Sequence, residues 1–189
     1  LDAEKMANGI DAISIVEDPA IEANFVALNK ANKVQFKAVD DEKHILLGPA
    51  LIPNKPIYRN QLLNGVPEEF YCYFSKGTIE KASQLYLMNG NQNNATLEHD
   101  MKLNGLTLVE SWIKCDMVND KSAAYGMNEP VGTWYVAMKV NNQDIWDNFV
   151  KTGKVKGFSI EGYFADKTQP TELKKDADNK VMELRKLIA

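Results

Sequence analysis

At 189 residues, 44% hydrophobic and 25% charged, the chain has the size and composition of one globular domain of the ~100–200 residue class, which excludes a disordered chain, a collagen-like fibre and a coiled coil. Its 22 Lys and Arg against 26 Asp and Glu give a net charge of −4, so there is no basic surplus for a nucleic-acid footprint and no nucleic-acid partner is expected. No stretch approaches the ~20 apolar residues of a bilayer span, and Leu1-Asp2-Ala3-Glu4-Lys5 lacks the basic-then-apolar layout of a signal peptide, so the expectation is a cytosolic protein with no membrane partner.

Runs rich in β-branched and aromatic residues, punctuated by Gly, Pro and Asn, predict strands first at Ile10–Val16, Asn24–Leu28, Val34–Val39, Ile45–Ile52 and Phe70–Phe74. A helix over Thr78–Met88 follows, with Ile79, Ala82 and Tyr86 on one face, Thr78 as N-cap and Asn89-Gly90 as the stop. Strands return at Thr107–Cys115, Thr133–Val140 and Phe158–Phe164, and between the last two a helix over Asn142–Lys151 gathers Ile145, Trp146, Phe149 and Val150 before Gly153. Beyond the polar stretch Lys167–Asp176, a third helix over Ala177–Ile188 sets Val181, Leu184, Leu187 and Ile188 in one stripe. This order gives a domain over residues 1–166 and a helical tail over 167–189, in a mainly β fold with flanking helices, a barrel or a sandwich.

Strict alternation through Leu106–Lys114 puts Glu110 on one face with Leu108 and Trp112, an odd place for a carboxylate unless something pairs with it. Cys72 and Cys115 have no metal-ligand or disulfide-scaffold spacing and are expected to be reduced and buried. Of the two histidines, His44 follows the charged run Asp40-Asp41-Glu42-Lys43 and reads as structural. His99 lies in the loop-like Thr96-Leu97-Glu98-His99-Asp100, the kind of segment where catalytic residues concentrate. The run Gly157-Phe158-Ser159-Ile160-Glu161-Gly162 places glycines on both sides of a serine, which allows close backbone approach and N–H groups facing an oxyanion. It is not the GxSxG elbow, and on spacing alone a Ser-His enzyme and a plain β-domain both stand.

The blocks Ile13-Ser14-Ile15-Val16-Glu17-Asp18-Pro19-Ala20, Leu47-Gly48-Pro49-Ala50-Leu51-Ile52-Pro53, Leu97-Glu98-His99-Asp100, Val109-Glu110-Ser111-Trp112, Pro130-Val131-Gly132-Thr133-Trp134 and Lys156-Gly157-Phe158-Ser159-Ile160-Glu161-Gly162 together resemble the XkdF-like phage serine proteases. Those proteases resemble tailed-phage prohead maturation proteases, similar in fold to the herpesvirus assemblins. The resemblance implies an assemblin-like β-barrel, with Ser159 as nucleophile and His99 as its general base. For the third member it implies an acid or histidine on a strand following the nucleophile. The N-terminal block resembles that segment, so a circularly permuted order with Asp11 as the third group is inferred, and Glu110 is the rival. The implied activity is a serine endopeptidase that cleaves scaffold and major capsid proteins inside the assembling prohead, in the host cytoplasm, with self-association and without cofactor or metal. The alternative is a non-enzymatic capsid-assembly or scaffold-binding module that keeps the protease fold.

Overall fold

The computed structural model describes residues 9–21, 26–28, 43–63 and 66–163. Among them the chain forms strands β1 (Gly9–Val16), β2 (Val26–Leu28), β3 (Ile45–Leu51), β4 (Ile57–Leu63), β5 (Val66–Cys72), β6 (Ala95–Leu97), β7 (Met101–Leu103), β8 (Leu106–Ile113), β9 (Trp134–Val140) and β10 (Gly157–Tyr163). Helix α1 (Lys76–Met88) lies between β5 and β6, and α2 (Gln143–Ile145) runs on as a π turn over Trp146–Val150. The protein is thus mainly β with a few short helices. The predicted strand at Val34–Val39 and the helix at Ala177–Ile188 lie outside the described residues, as does the tail.

The strands assemble as one sheet in the order β10-β1-β6-β7, a second in the order β2-β3-β9-β8, and the separate hairpin β4-β5. These are open sheets, and among the described residues no ladder joins an edge of one to an edge of the other, so no closed barrel is formed there. What unites the sheets is burial. Ile13, Ile15 and Phe158 from the first sheet, Leu46, Leu51, Trp134, Val136 and Met138 from the second, and Ile79 and Tyr86 from α1 belong to one cluster of buried side chains. The alternation that points Ile13 and Ile15 into this core sends Ser14 to the opposite face of β1.

The helix predicted from Thr78 begins two residues earlier, at Lys76. Ser75 is the N-cap, accepting the Thr78 N–H at 3.2 Å, and Thr78 occupies the third helical position, whose amide needs such an acceptor. At the other end Asn89 caps α1 and Gly90 takes the left-handed conformation at φ +74°, as the Asn-Gly pair predicts. Three strands escaped the sequence reading: β6 and β7 span three residues each, and the apolar pattern of β4 is broken by Arg59, Asn60 and Gln61. Cys72 is half-buried, but Cys115 is exposed, contrary to expectation. It lies two residues beyond β8, next to Lys114, which turns inward instead, fully buried with its ammonium donating to the Met127 carbonyl at 3.3 Å. His44 stacks on Trp146 with ring centroids 4.4 Å apart, in line with a structural role.

Candidate active site

The outward face of the first sheet carries an unusual polar row. β1 pairs antiparallel with β10 so that Ser14 stands opposite Ser159, and parallel with β6 so that Ser14 also stands opposite Thr96. Directly paired residues point to the same face, so Ser159, Ser14 and Thr96 form a line across three strands. Strand period two then puts Glu161 on that face as well, two residues along β10 from Ser159 at a spacing of about 7 Å. Ser14 and Ser159 are both buried.

β6 and β7 form a tight hairpin, with Leu97 paired to Met101, and its three-residue tip is Glu98-His99-Asp100. Both Glu98 (φ +51°) and His99 (φ +61°) lie in the left-handed region, where a side chain costs energy and is held only if its surroundings demand it. From this tip the imidazole turns back over the sheet, and its Nδ1 sits 3.2 Å from Glu161 Oε1. The Thr96 hydroxyl donates to the same carboxylate oxygen. The carboxylate is therefore fixed from two sides. With Nδ1 committed to Glu161, the imidazole has Nε2 left for a proton from elsewhere. The side chains of His99 and Glu161 are 42% and 28% exposed, whereas Ser159 is only 5% exposed. The histidine is thus open to a ligand while the serine lies at the floor.

The structure brings His99 and the Ser159 strand together, but neither of the acids expected from the sequence is the one at the imidazole. Asp11 sits at a bulge in β1, between Ile10 and Ala12, and is exposed, with its backbone carbonyl accepting from Asn94 Nδ2 at 3.1 Å. A bulge inserts a residue that the opposing strand does not match. It lets Ala12 pair with Glu161 while Asp11 turns to solvent. Glu110 lies away from the imidazole for a related reason. A second bulge, between Leu108 and Glu110, rotates the rest of β8, so Leu108 joins the main core while Glu110 lies on the other face with Trp112. There it is exposed and ion-paired with Lys121, which also resolves the apparent carboxylate on an apolar face. Glu161 was missed although its signal was present: it is the second residue after Ser159 on a strand, hence on the serine's face. Ser14 gave no comparable signal, because its place in the row depends on long-range pairing.

The glycine after the serine has a packing explanation. A side chain at Gly162 would collide with the Gly9 carbonyl, because the bulged start of β1 crosses closely there.

Residues 33–169 match the family model described as "Putative phage serine protease XkdF". The chain belongs to this family. Its matched region contains His99, Ser159 and Glu161, while β1, with Asp11 and Ser14, precedes it. No curated protein and no solved structure matches the chain. The family's name indicates a serine protease, consistent with a serine and a carboxylate-bound histidine on one sheet face.

Proposed function

We propose that the protein is a serine endopeptidase in which Ser159 is the nucleophile, His99 the general base and Glu161 the residue that orients the base. The observation that carries this reading is the His99 Nδ1 to Glu161 contact of 3.2 Å, made over the face on which Ser159 lies. A serine hydroxyl is a weak nucleophile until a base takes its proton. In the proposed reaction Ser159 Oγ attacks the scissile carbonyl carbon and its proton passes to His99 Nε2. The C–N bond then breaks, and the departing amine leaves with that proton. Water, deprotonated by the same imidazole, hydrolyses the acyl-enzyme and restores the serine. Glu161 holds the tautomer with Nδ1 protonated and stabilises the imidazolium formed in each half-reaction.

By resemblance, the substrates are the scaffold and major capsid proteins of a phage prohead, and the site of action is the assembling head in the host cytoplasm, with the enzyme self-associating. An assemblin-like barrel belongs to the same proposal: the sheets share one core, and β10 lies beside β3. So does a permuted strand order, since the N-terminal β1 is the antiparallel neighbour of the serine strand. The near-complete burial of Ser159 favours a second reading, a capsid-assembly module that keeps the fold without the chemistry. Co-expression with the scaffold and capsid proteins separates the two. Fragments that appear with the native chain and vanish with Ser159→Ala are expected for the protease, whereas identical patterns from both chains would leave the assembly module.

A further inference from the structure

The strand that carries the serine and the strand that leads to the histidine do not pair with one another. β1 lies between them, antiparallel to β10 and parallel to β6. It also holds the hairpin tip. The Glu98 N–H donates to the Ile15 carbonyl at 3.2 Å, the Glu98 carboxylate accepts the Glu17 N–H at 2.7 Å, and the His99 N–H donates to Ser14 Oγ at 3.0 Å. Ser14 Oγ in turn donates to the Thr96 carbonyl at 3.3 Å.

A fully buried position on a strand ordinarily takes an apolar side chain, because a buried hydroxyl without partners is costly. Ser14 is 0% exposed, and its hydroxyl is used as donor and as acceptor. The group it accepts from is the amide of His99, a residue whose left-handed backbone needs external support. Sheet hydrogen bonding gives that amide no ladder partner, since His99 lies outside both β6 and β7.

We propose that Ser14 is a positioning residue of the protease site: its hydroxyl seats the His99 backbone across β1 from the serine strand, so that the imidazole reaches Glu161 over the face on which Ser159 lies. The proposal rests on the reading of Ser159, His99 and Glu161 as the triad, and it deepens that reading by giving the N-terminal strand a part in catalysis.

The test uses the full chain as Ser14→Ala, Ser14→Cys and Ser14→Thr, with two readouts. One is labelling of Ser159 by a serine-reactive fluorophosphonate, located by mass spectrometry and resolved into a maximal rate and a half-saturating concentration. The other is amide hydrogen exchange at His99, with Ile160 in the β1–β10 ladder as internal control. Ser14→Ala, and Ser14→Cys should alanine not fold, should lower the maximal rate by about tenfold while leaving half-saturation unchanged, the scale expected from losing one hydrogen bond. Exchange at His99 should quicken by a similar factor with Ile160 unmoved, and Ser14→Thr, which keeps the hydroxyl, should restore both. Labelling at the native rate in a folded Ser14→Ala or Ser14→Cys chain would overturn the proposal. If the native chain takes no label at Ser159, the triad reading falls. Exchange still decides Ser14 in that case, and unchanged exchange at His99 would remove its positioning role too.

Discussion

The two sheets turn one face each to the shared core, and their other faces differ. On the second sheet Leu47, Tyr135 and Ala137 are buried beneath the segment that carries Met127 and Tyr125, with Trp112 stacked on Tyr135 at 5.2 Å between ring centroids. On the first sheet the corresponding face carries Ser159, Ser14, Thr96 and Glu161, overhung by the strained tip at His99. Burying an apolar side chain stabilises a fold by about 1.5–3 kcal/mol, whereas a satisfied hydrogen bond contributes about 0.5–1.5 kcal/mol net. The polar row is therefore a poor way to stabilise a sheet and a good way to align groups for proton transfer. Changes on the first sheet's outer face should affect rate and spare stability, and changes on the second should do the reverse.

The sharpest break of that contrast comes from the serine. Ser159→Ala should lower proteolysis by at least about 10⁴-fold, since it deletes the nucleophile, and thermal unfolding should show a melting temperature close to native. Glu161→Gln should cost about 10²–10⁴-fold in kcat, because it leaves nucleophile and base in place but removes the carboxylate that sets the imidazole. Asp11→Asn and Glu110→Gln, measured with the same substrate, should be nearly silent. A native-like rate for Glu161→Gln alongside a collapse for Asp11→Asn would reverse the assignment of the acid. Proteolysis should also collapse in His99→Ala, which leaves the serine without a group to take its proton. A native rate from a folded His99→Ala enzyme would remove histidine as the base.

On the second sheet Leu47→Ala should lower stability by about 2–5 kcal/mol in denaturant unfolding, with the rate of the remaining folded enzyme unchanged. The smallest effect concerns Asp120, which begins the 3₁₀ turn Lys121–Tyr125. Burial pushes its carboxyl up, but hydrogen bonds from the Ser122 N–H at 2.9 Å and the Trp112 indole at 3.2 Å outweigh this and hold it below the usual carboxylate range. A carboxyl lowered in the folded state stabilises when ionised. Its contribution is complete above the unfolded value of about 3.9 and is lost as the pH falls through the lower folded value. Asp120→Ala should cost about 0.5–2 kcal/mol at neutral pH, as for other caps, and the gap from the native chain should shrink below about pH 4.

Much of this contrast could be read from the sequence, and the failures share a cause. Long strands with clear apolar content, β1, β3, β8, β9 and β10, declared themselves, as did α1 through its spacing and its Asn-Gly end. The hairpin that delivers His99 did not, because three-residue strands are too short to show a period. The two rival acids both lie at or beside a bulge, where the alternation that sorts a strand's faces is interrupted. Glu161 lies on an uninterrupted stretch with Ser159, so simple alternation already made it the nearest carboxylate in face and spacing. The part played by Ser14 needed the strand order itself, with an N-terminal strand inserted between two that come much later in the chain.

The most direct measurement of the central claim is where, and with whose help, a fluorophosphonate attaches to the native chain. The adduct should map to Ser159, disappear in His99→Ala and slow markedly in Glu161→Gln, while Asp11→Asn and Glu110→Gln label at the native rate. Labelling of Ser159 that survives the loss of His99 unchanged, or an adduct on another serine, would contradict a catalytic unit built from Ser159, His99 and Glu161.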